Sequence, residues 1–274
     1  MTTQNFGDIL EKALPICREA AAFIKNHVGG VSKEQVVEKD KNSLVSFVDE
    51  GAEKILVKGL SAILPEAGFI TEENTVSQEK KSSMWIIDPL DGTSNFLFGI
   101  PFFCVSVALY ATGDLKVGII ISVMNDEEFT AVKGQGAYLN GQPMRVTDAD
   151  DLSKVLTATG FPYNNREYLD RTNFPAMHYF LMRTKGLNRL GSAALDLAYV
   201  ACGRFGLYFE GWINPWDVAA GILLVREAGG HVESYDGDDV LFAGTIVATT
   251  PKLIEEVRIG LSKNSMRHPR KNAL

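Results

Sequence analysis

Cysteine, histidine and net positive charge are all scarce in this chain, and each scarcity removes a class of function. Its 274 residues include 3 cysteines and 4 histidines. Cys17, Cys104 and Cys202 stand far apart in apolar surroundings, with no Cys-x-x-Cys pair and no histidine at zinc-ligand spacing. That pattern predicts buried, reduced thiols rather than a disulfide framework or a structural zinc site. Against 27 Lys and Arg stand 34 Asp and Glu, a formal charge of −7, so the concentrated basic surface of a general nucleic-acid binder is missing. The same balance opposes a phosphorylated ligand unless acidic side chains hold divalent cations, because a bound metal inverts the local electrostatics.

The longest aliphatic run, Val117 to Met124, is too short to span a bilayer, and no basic segment precedes an apolar one near Met1. A cytoplasmic protein with no membrane and no direct nucleic-acid partner is the expectation. There is no internal repeat, low-complexity tract or flexible linker. What remains is 46% apolar and 22% charged, the composition of an ordinary globular protein, in one large domain or two intimate ones.

Phe6, Ile9, Leu10, Ala13, Leu14, Cys17, Ala20, Ala21 and Ile24 recur at three- and four-residue steps, which predicts a long amphipathic helix that Gly29-Gly30 stops and Pro15 kinks. Ala52, Ile55, Leu56 and Leu60 predict a second helix from about Val48 to Leu64. Strands follow at Met84 to Asp88, Phe102 to Tyr110, Val117 to Val123 and Glu127 to Val132, an antiparallel meander. Beyond about Asp150 strands and helices alternate: strand Leu187 to Leu190, helix Ala193 to Ala201, strand Phe205 to Glu210, helix Trp216 to Ala228, strands at His231 to Glu233 and Thr245 to Thr249, and a last helix from Lys252. Asn214-Pro215 supplies an N-cap and a first-turn proline. The chain thus divides into an N-terminal α+β half, residues 1–150, and a C-terminal α/β half, residues 151–274.

The segment WIIDPLDGTSNF, Trp85 to Phe96, carries the most chemistry. Pro89 holds Asp88 extended and Asp91-Gly92 is a turn dipeptide, so the chain is expected to leave the strand and bend at once. Both carboxylates can then face one space with the Leu90 carbonyl between them, an oxygen set that suits Mg²⁺. A solvated turn uses the same residues, and the segment alone leaves both readings open. Successive N–H groups of Gly92-Thr93-Ser94 can form a phosphate-binding nest. Further ligands are needed to hold two cations. Glu72-Glu73 and Asp217 are candidates, although an acidic pair in a loop is commonly just solvated, and an acid in a helix first turn is stabilised by the dipole without any ligand role.

Three segments together, FITEEN (Phe69 to Asn74), DPLDGTSNF (Asp88 to Phe96) and WDVAAGILLVREAGG (Trp216 to Gly230), resemble the signatures of the inositol monophosphatase family in order and separation. KDKNSLVSFVD, GQGAYLNG and LGSAALDLAYVACGRFGLYFEG extend the likeness over most of the chain. The resemblance implies an αβαβα layered sandwich of the sugar-phosphatase type, usually a homodimer, hydrolysing small phosphate monoesters with Mg²⁺ and inhibited by Li⁺. Matched position by position, Glu72, Asp88 and the Leu90 carbonyl bind a first metal, Asp88, Asp91 and Asp217 a second, and Glu72 holds a third weakly through water. Thr93, oriented by Asp49, positions or deprotonates a metal-activated water that attacks phosphorus directly. Gly92 and Thr93 hold the phosphate, while Asp91, Ser192, Ala193 and Glu210 contact the polyol. Thr71 stands where the family usually has Gly and Asn74 where it has Ser or Thr, so any need for positive φ at Thr71 would displace the Glu72 loop. Ser46 stands for a Thr, and Lys39 matches a family lysine.

Inositol 1-phosphate or a related polyol phosphate is the expected substrate. Ser94-Asn95-Phe96 lacks the Lys-Glu-Phe typical of 3′,5′-bisphosphate nucleotidases, while histidinol phosphate and fructose 1,6-bisphosphate stay open because the signatures hardly contact the alcohol. The alternative of another class is a regulatory, transcription-complex protein on the same fold, with Arg189 and the basic tail serving a protein partner.

Overall fold

The computed structural model describes residues 5–31, 36–40, 43–78, 81–161, 174–235 and 239–262, with backbone alone at 36–40 and 43–45. The first helix, α1 (Phe6–Asn26), is capped by the Asn5 side chain, which accepts the Gly7 N–H at 3.1 Å. It runs on through Pro15 and buries Ile9, Ala13, Cys17, Ala20, Ala21 and Ile24. A hairpin, β1 (Val36–Asp40) and β2 (Ser43–Ser46), leads into α2 (Phe47–Ile63), whose apolar stripe of Val48, Ala52, Leu56 and Leu60 packs beside α1.

The next strands, β3 (Gly68–Thr71), β4 (Ser83–Asp91), β5 (Cys104–Ala111), β6 (Asp114–Ser122), β7 (Glu127–Val132), β8 (Gly136–Leu139) and β9 (Gln142–Pro143), form a seven-stranded sheet in sequence order. All neighbours are antiparallel except β3 with β4. Alternation along β4 shows why its residues are nearly all apolar: Trp85 and Ile87 join the core under α1 and α2, while Met84 and Ile86 join the core on the other face. A second sheet has the order β11 (Leu187–Asn188), β10 (Thr157–Thr159), β12 (Leu207–Gly211), β14 (Thr245–Thr249), β13 (His231–Glu233). Between the sheets lie α5 (Ala193–Ala201) and α6 (Pro215–Glu227), which share one core with Ile120 and Phe129 of the first sheet and Tyr208 and Ile246 of the second. The outer face of the second sheet is covered by α4 (Phe174–Leu181) and α7 (Ile254–Ser262) through Phe180, Phe209, Val247 and Val257. The layers therefore run α, β, α, β, α.

The strands expected at Leu187 to Leu190 and Phe205 to Glu210 are Leu187–Asn188 and Leu207–Gly211, and two further expectations need correction. β4 does not end at Asp88: it continues through Pro89, which lies where the β4–β5 register shifts, and pairing resumes at Asp91 with Cys104. A bulge tolerates the missing N–H of proline inside a central strand. β5 begins at Cys104 rather than at Phe102, whose N–H turns back to the Ile100 carbonyl at 2.7 Å. Of the thiols, Cys17 and Cys104 are buried and Cys202 is half-buried; all are free.

Candidate active site

The bulge in β4 is what aims the two aspartates. Asp88 is 1% exposed, and its Oδ1 accepts the Leu90 N–H at 3.0 Å across the proline. Asp91 ends the strand, and Gly92 follows at φ 95° as the N-cap of α3 (Thr93–Leu97). A Cβ at Gly92 would lie 2.9 Å from the Phe102 carbonyl, so neither its φ nor its surroundings accept a side chain. Thr93 is therefore delivered one residue after a forced turn. Its Oγ1 lies 2.9 Å from Asp49 Oδ1 and 3.0 Å from the Leu90 carbonyl, and its one proton serves these two acceptors.

Asp49 is set by helix capping. It occupies the third position of α2, where Oδ2 accepts both the Ser46 N–H (2.8 Å) and the Ser46 hydroxyl (2.7 Å), leaving Oδ1 for Thr93. Burial pushes its carboxyl above the usual range, against the Ser46 and Thr93 hydrogen bonds. One turn later on α2, Glu53 is fully buried and collects Thr71 Oγ1 (3.0 Å), the Glu73 N–H (2.8 Å), the Thr75 N–H (2.7 Å) and Thr75 Oγ1 (2.7 Å). These bonds bracket Glu72 and fix its loop against the end of β3. The concern over Thr71 is resolved here: Thr71 is an ordinary strand residue paired with Ile87, and the positive φ falls on Asn74, at 54°, whose side chain caps the Glu72 carbonyl at 3.1 Å.

Asp91 reaches the other layer. Its Oδ2 accepts Ser192 Oγ at 2.6 Å and the Ala194 N–H at 2.8 Å, and the Ala193 N–H also bonds its carboxylate. Burial raises its carboxyl, and those donors oppose the rise. Asp217, in the first turn of α6, accepts the Asn214 N–H at 2.7 Å. Asp91, Asp217, Ser192, Ala193 and Glu210 line one cleft. Glu210 accepts the Tyr208 hydroxyl; burial lifts its carboxyl to about 7, with Tyr208 and Arg189 opposing. Arg189, considered above for a protein partner, lines this same cleft. The Lys39 side chain and the basic tail lie outside what is described.

The donor set fits divalent cations. Among the described residues no group of three or more His, Cys, Asp or Glu side chains is already closed into a metal cage. Charge nevertheless gathers at Asp88, whose carboxyl is held far above the usual range by burial first, then by Glu72, Asp91 and Asp217, and by a hydrogen bond with Glu72. Carboxyl groups crowded in this way are what a hard cation relieves, and oxygen donors of this kind suit Mg²⁺ or Ca²⁺.

Sequence reasoning missed Glu53, Asp196 and Trp212. Glu53 was accessible as the residue one helical turn beyond Asp49, on the same face. Asp196 is a buried acid in the cleft wall, and Trp212 lines the cleft at φ 67°; neither has a signal in local spacing.

A sandwich of two sheets and three helical layers, with a carboxylate-lined cleft where the layers meet, is the architecture of the sugar-phosphatase class. The profile described as "Inositol monophosphatase family" matches residues 7–267, and the chain belongs to that family. Among curated relatives, the Nus factor SuhB of Xylella fastidiosa is 43% identical over 222 residues, covering 81% of this chain and 80% of the relative. The crystal structure of extragenic suppressor protein suhB from Bartonella henselae superposes with a TM-score of 0.88 at 37% identity, covering 93% of this chain and 99% of that one. The inositol monophosphatase of Anabaena (Nostoc) sp. PCC 7120 gives 0.85 at 34% identity, covering 99% and 100%.

Proposed function

We propose that this protein is a Mg²⁺-dependent phosphatase of small phosphate monoesters, with inositol 1-phosphate or a related polyol phosphate as its substrate. The observation that carries the proposal is the convergence of Glu72, Asp91 and Asp217 on the buried Asp88, beside a threonine already hydrogen-bonded to a buried aspartate. Glu72, Asp88 and the Leu90 carbonyl would hold one cation, and Asp88, Asp91 and Asp217 another; the Leu90 oxygen can serve both Thr93 and a metal because a carbonyl has two lone pairs. When bound, the cations neutralise phosphate charge and raise the acidity of a water. Thr93 accepts a hydrogen bond from that water and orients it toward phosphorus; as it takes the water's proton its own passes along the hydrogen bond to Asp49. The amides of Gly92 and Thr93 face the phosphate oxygens, and Glu210 accepts hydrogen bonds from hydroxyls of the alcohol. The division near Asp150 would then place most cation ligands in one half and Asp217 and Glu210 in the other. The apolar pair Phe98 and Ile100, 78% and 50% exposed, offers a contact for a homodimer.

The test is Mg²⁺-dependent phosphate release from inositol 1-phosphate, histidinol phosphate, fructose 1,6-bisphosphate and adenosine 3′,5′-bisphosphate. Inositol 1-phosphate should be cleaved with the highest kcat/KM, and Asp91→Asn should lower it about a hundredfold or more. Li⁺ should inhibit. Wild-type protein inactive on the whole panel would favour a second reading, a regulatory role in a transcription complex, which the relatives named Nus factor motivate.

The role of Asp217 can be tested separately. An Asn at this position keeps an acceptor for the Asn214 N–H, so Asp217→Asn should leave the melting temperature within about 2 °C while calorimetric Mg²⁺ titration shows the weaker binding event lost. Unchanged stoichiometry and affinity would leave Asp217 as a helix cap only.

A further inference from the structure

Besides Glu210, one acidic side chain in the cleft has no part in cation or phosphate binding. Asp196 lies in the first turn of α5 and is 2% exposed, yet it lines the cleft with Glu210, Arg189 and Trp212. Its Oδ1 is enclosed and has no hydrogen-bond partner. The helix around it is otherwise apolar, with Ala194, Leu195, Leu197 and Ala198 all buried in the shared core, so an aliphatic residue at 196 would pack at lower cost. A buried acceptor left unmet is expensive, and one that persists in a native protein calls for a functional role or a bound partner. Neighbouring groups do not meet it: burial first, then Glu210 and Asp91, push its carboxyl well above the ordinary range, and Arg189 opposes them. Backbone strain at Trp212, a bulky residue at φ 67°, marks the same wall as built for something other than stability.

Glu210 is fixed in that wall from two sides. The Tyr208 hydroxyl bonds it, and Gly160 leaves open the space its carboxylate occupies, since a Cβ there would lie 2.1 Å from Oε2. Two carboxyl groups, one bonded by Tyr208 and one unmet, then line the same cleft as Asp91. We propose that Asp196 is a specificity-determining residue that, together with Glu210, takes hydrogen-bond donors on the leaving alcohol of the phosphate ester. The donor is a hydroxyl or an ammonium group, and esters without one are discriminated against because the acid then stays unpaired. This rests on the phosphatase reading and extends it from the phosphate to the alcohol.

The experiment measures kcat and KM with Mg²⁺ for inositol 1-phosphate, 2-aminoethyl phosphate and phenyl phosphate, in wild type, Asp196→Asn and Asp196→Leu. Asp196→Leu should lower the ratio of kcat/KM for a donor-bearing ester to that for phenyl phosphate by about ten- to a hundredfold, chiefly through KM. Asp196→Asn, which keeps one acceptor oxygen, should restore much of the ratio for a hydroxyl ester and little for an ammonium ester, and this distinguishes the two donors. The melting temperature of metal-free Asp196→Leu should rise, since a buried acid has been replaced by an apolar group. A ratio unmoved in both variants, or a lower melting temperature with all three esters equally impaired, overturns the proposal and makes Asp196 structural. Wild-type protein that cleaves none of the three overturns the phosphatase reading as well, whereas turnover with an unmoved ratio overturns this inference alone.

Discussion

Glu53→Ala is expected to lower stability by about 3–5 kcal/mol, read as a fall in melting temperature of roughly 10 °C. The residue is fully buried, and its carboxylate is the shared acceptor for two N–H groups and two hydroxyls drawn from Thr71, Glu73 and Thr75. Alanine would leave those donors without their acceptor in a site where water does not easily replace it. Glu53→Gln separates the fold from the function. An amide oxygen in the Oε1 position keeps three of the bonds, but the amide nitrogen would face the Glu73 N–H, donor against donor. The melting temperature should then fall little while Mg²⁺ affinity drops about tenfold, because the Glu72 loop alone is released. If Glu53→Ala melts with the wild type, the buried acid is not what holds this loop.

The helices and central strands were legible because burial imposes a period. Ala52, Leu56 and Leu60 are apolar at helical spacing, and α2 lies within one residue of the expected bounds at both ends. The ends of α6 were legible from Asn214-Pro215 and Gly229-Gly230. Shorter elements were not. β10 is three residues long, and its partners in β11 and β12 lie some thirty to fifty residues further along the chain, so nothing near Thr157 announces a strand. The extension of β4 past Asp88 was misread because a proline ordinarily ends a central strand, and only the register shift against β5 shows how this one is accommodated.

Within the site, Asp88 and Asp91 were legible as acids that punctuate an apolar strand. Glu210 and Asp217 were not distinguishable from a strand end and a helix cap without the family likeness. The geometry explains that ambiguity, since Asp217 does cap α6 while it also lines the cleft. Glu53 and Asp196 each look like a single acid on a helix, which is usually a solvated residue. Their environment is made by segments remote in sequence: Thr71 to Thr75 for Glu53, and Glu210, Asp91 and Arg189 for Asp196.

Asp88→Asn should move stability and activity in opposite directions. An Asn at this position keeps the shape and an oxygen for the Leu90 N–H, so the bulge can persist. What disappears is a desolvated carboxyl crowded by Glu72, Asp91 and Asp217. A carboxyl whose pKa is raised on folding helps the folded state fully only below its unfolded pKa, and that contribution drains away as pH rises toward the folded value. The metal-free variant should therefore melt above metal-free wild type, by about 1–2 kcal/mol or roughly 3–6 °C near pH 8, with the gap closing as the pH is lowered toward the ordinary carboxylate range. Added Mg²⁺ should raise wild type more than the variant, because binding stabilises only a fold that retains its ligands. Phosphate release should fall about a thousandfold or more, since the residue proposed to bridge both cations has lost its charge. Equal melting temperatures without metal across this pH range would mean that Asp88 bears no electrostatic cost in the empty site. A variant that kept its turnover would remove Asp88 from the centre of the chemistry.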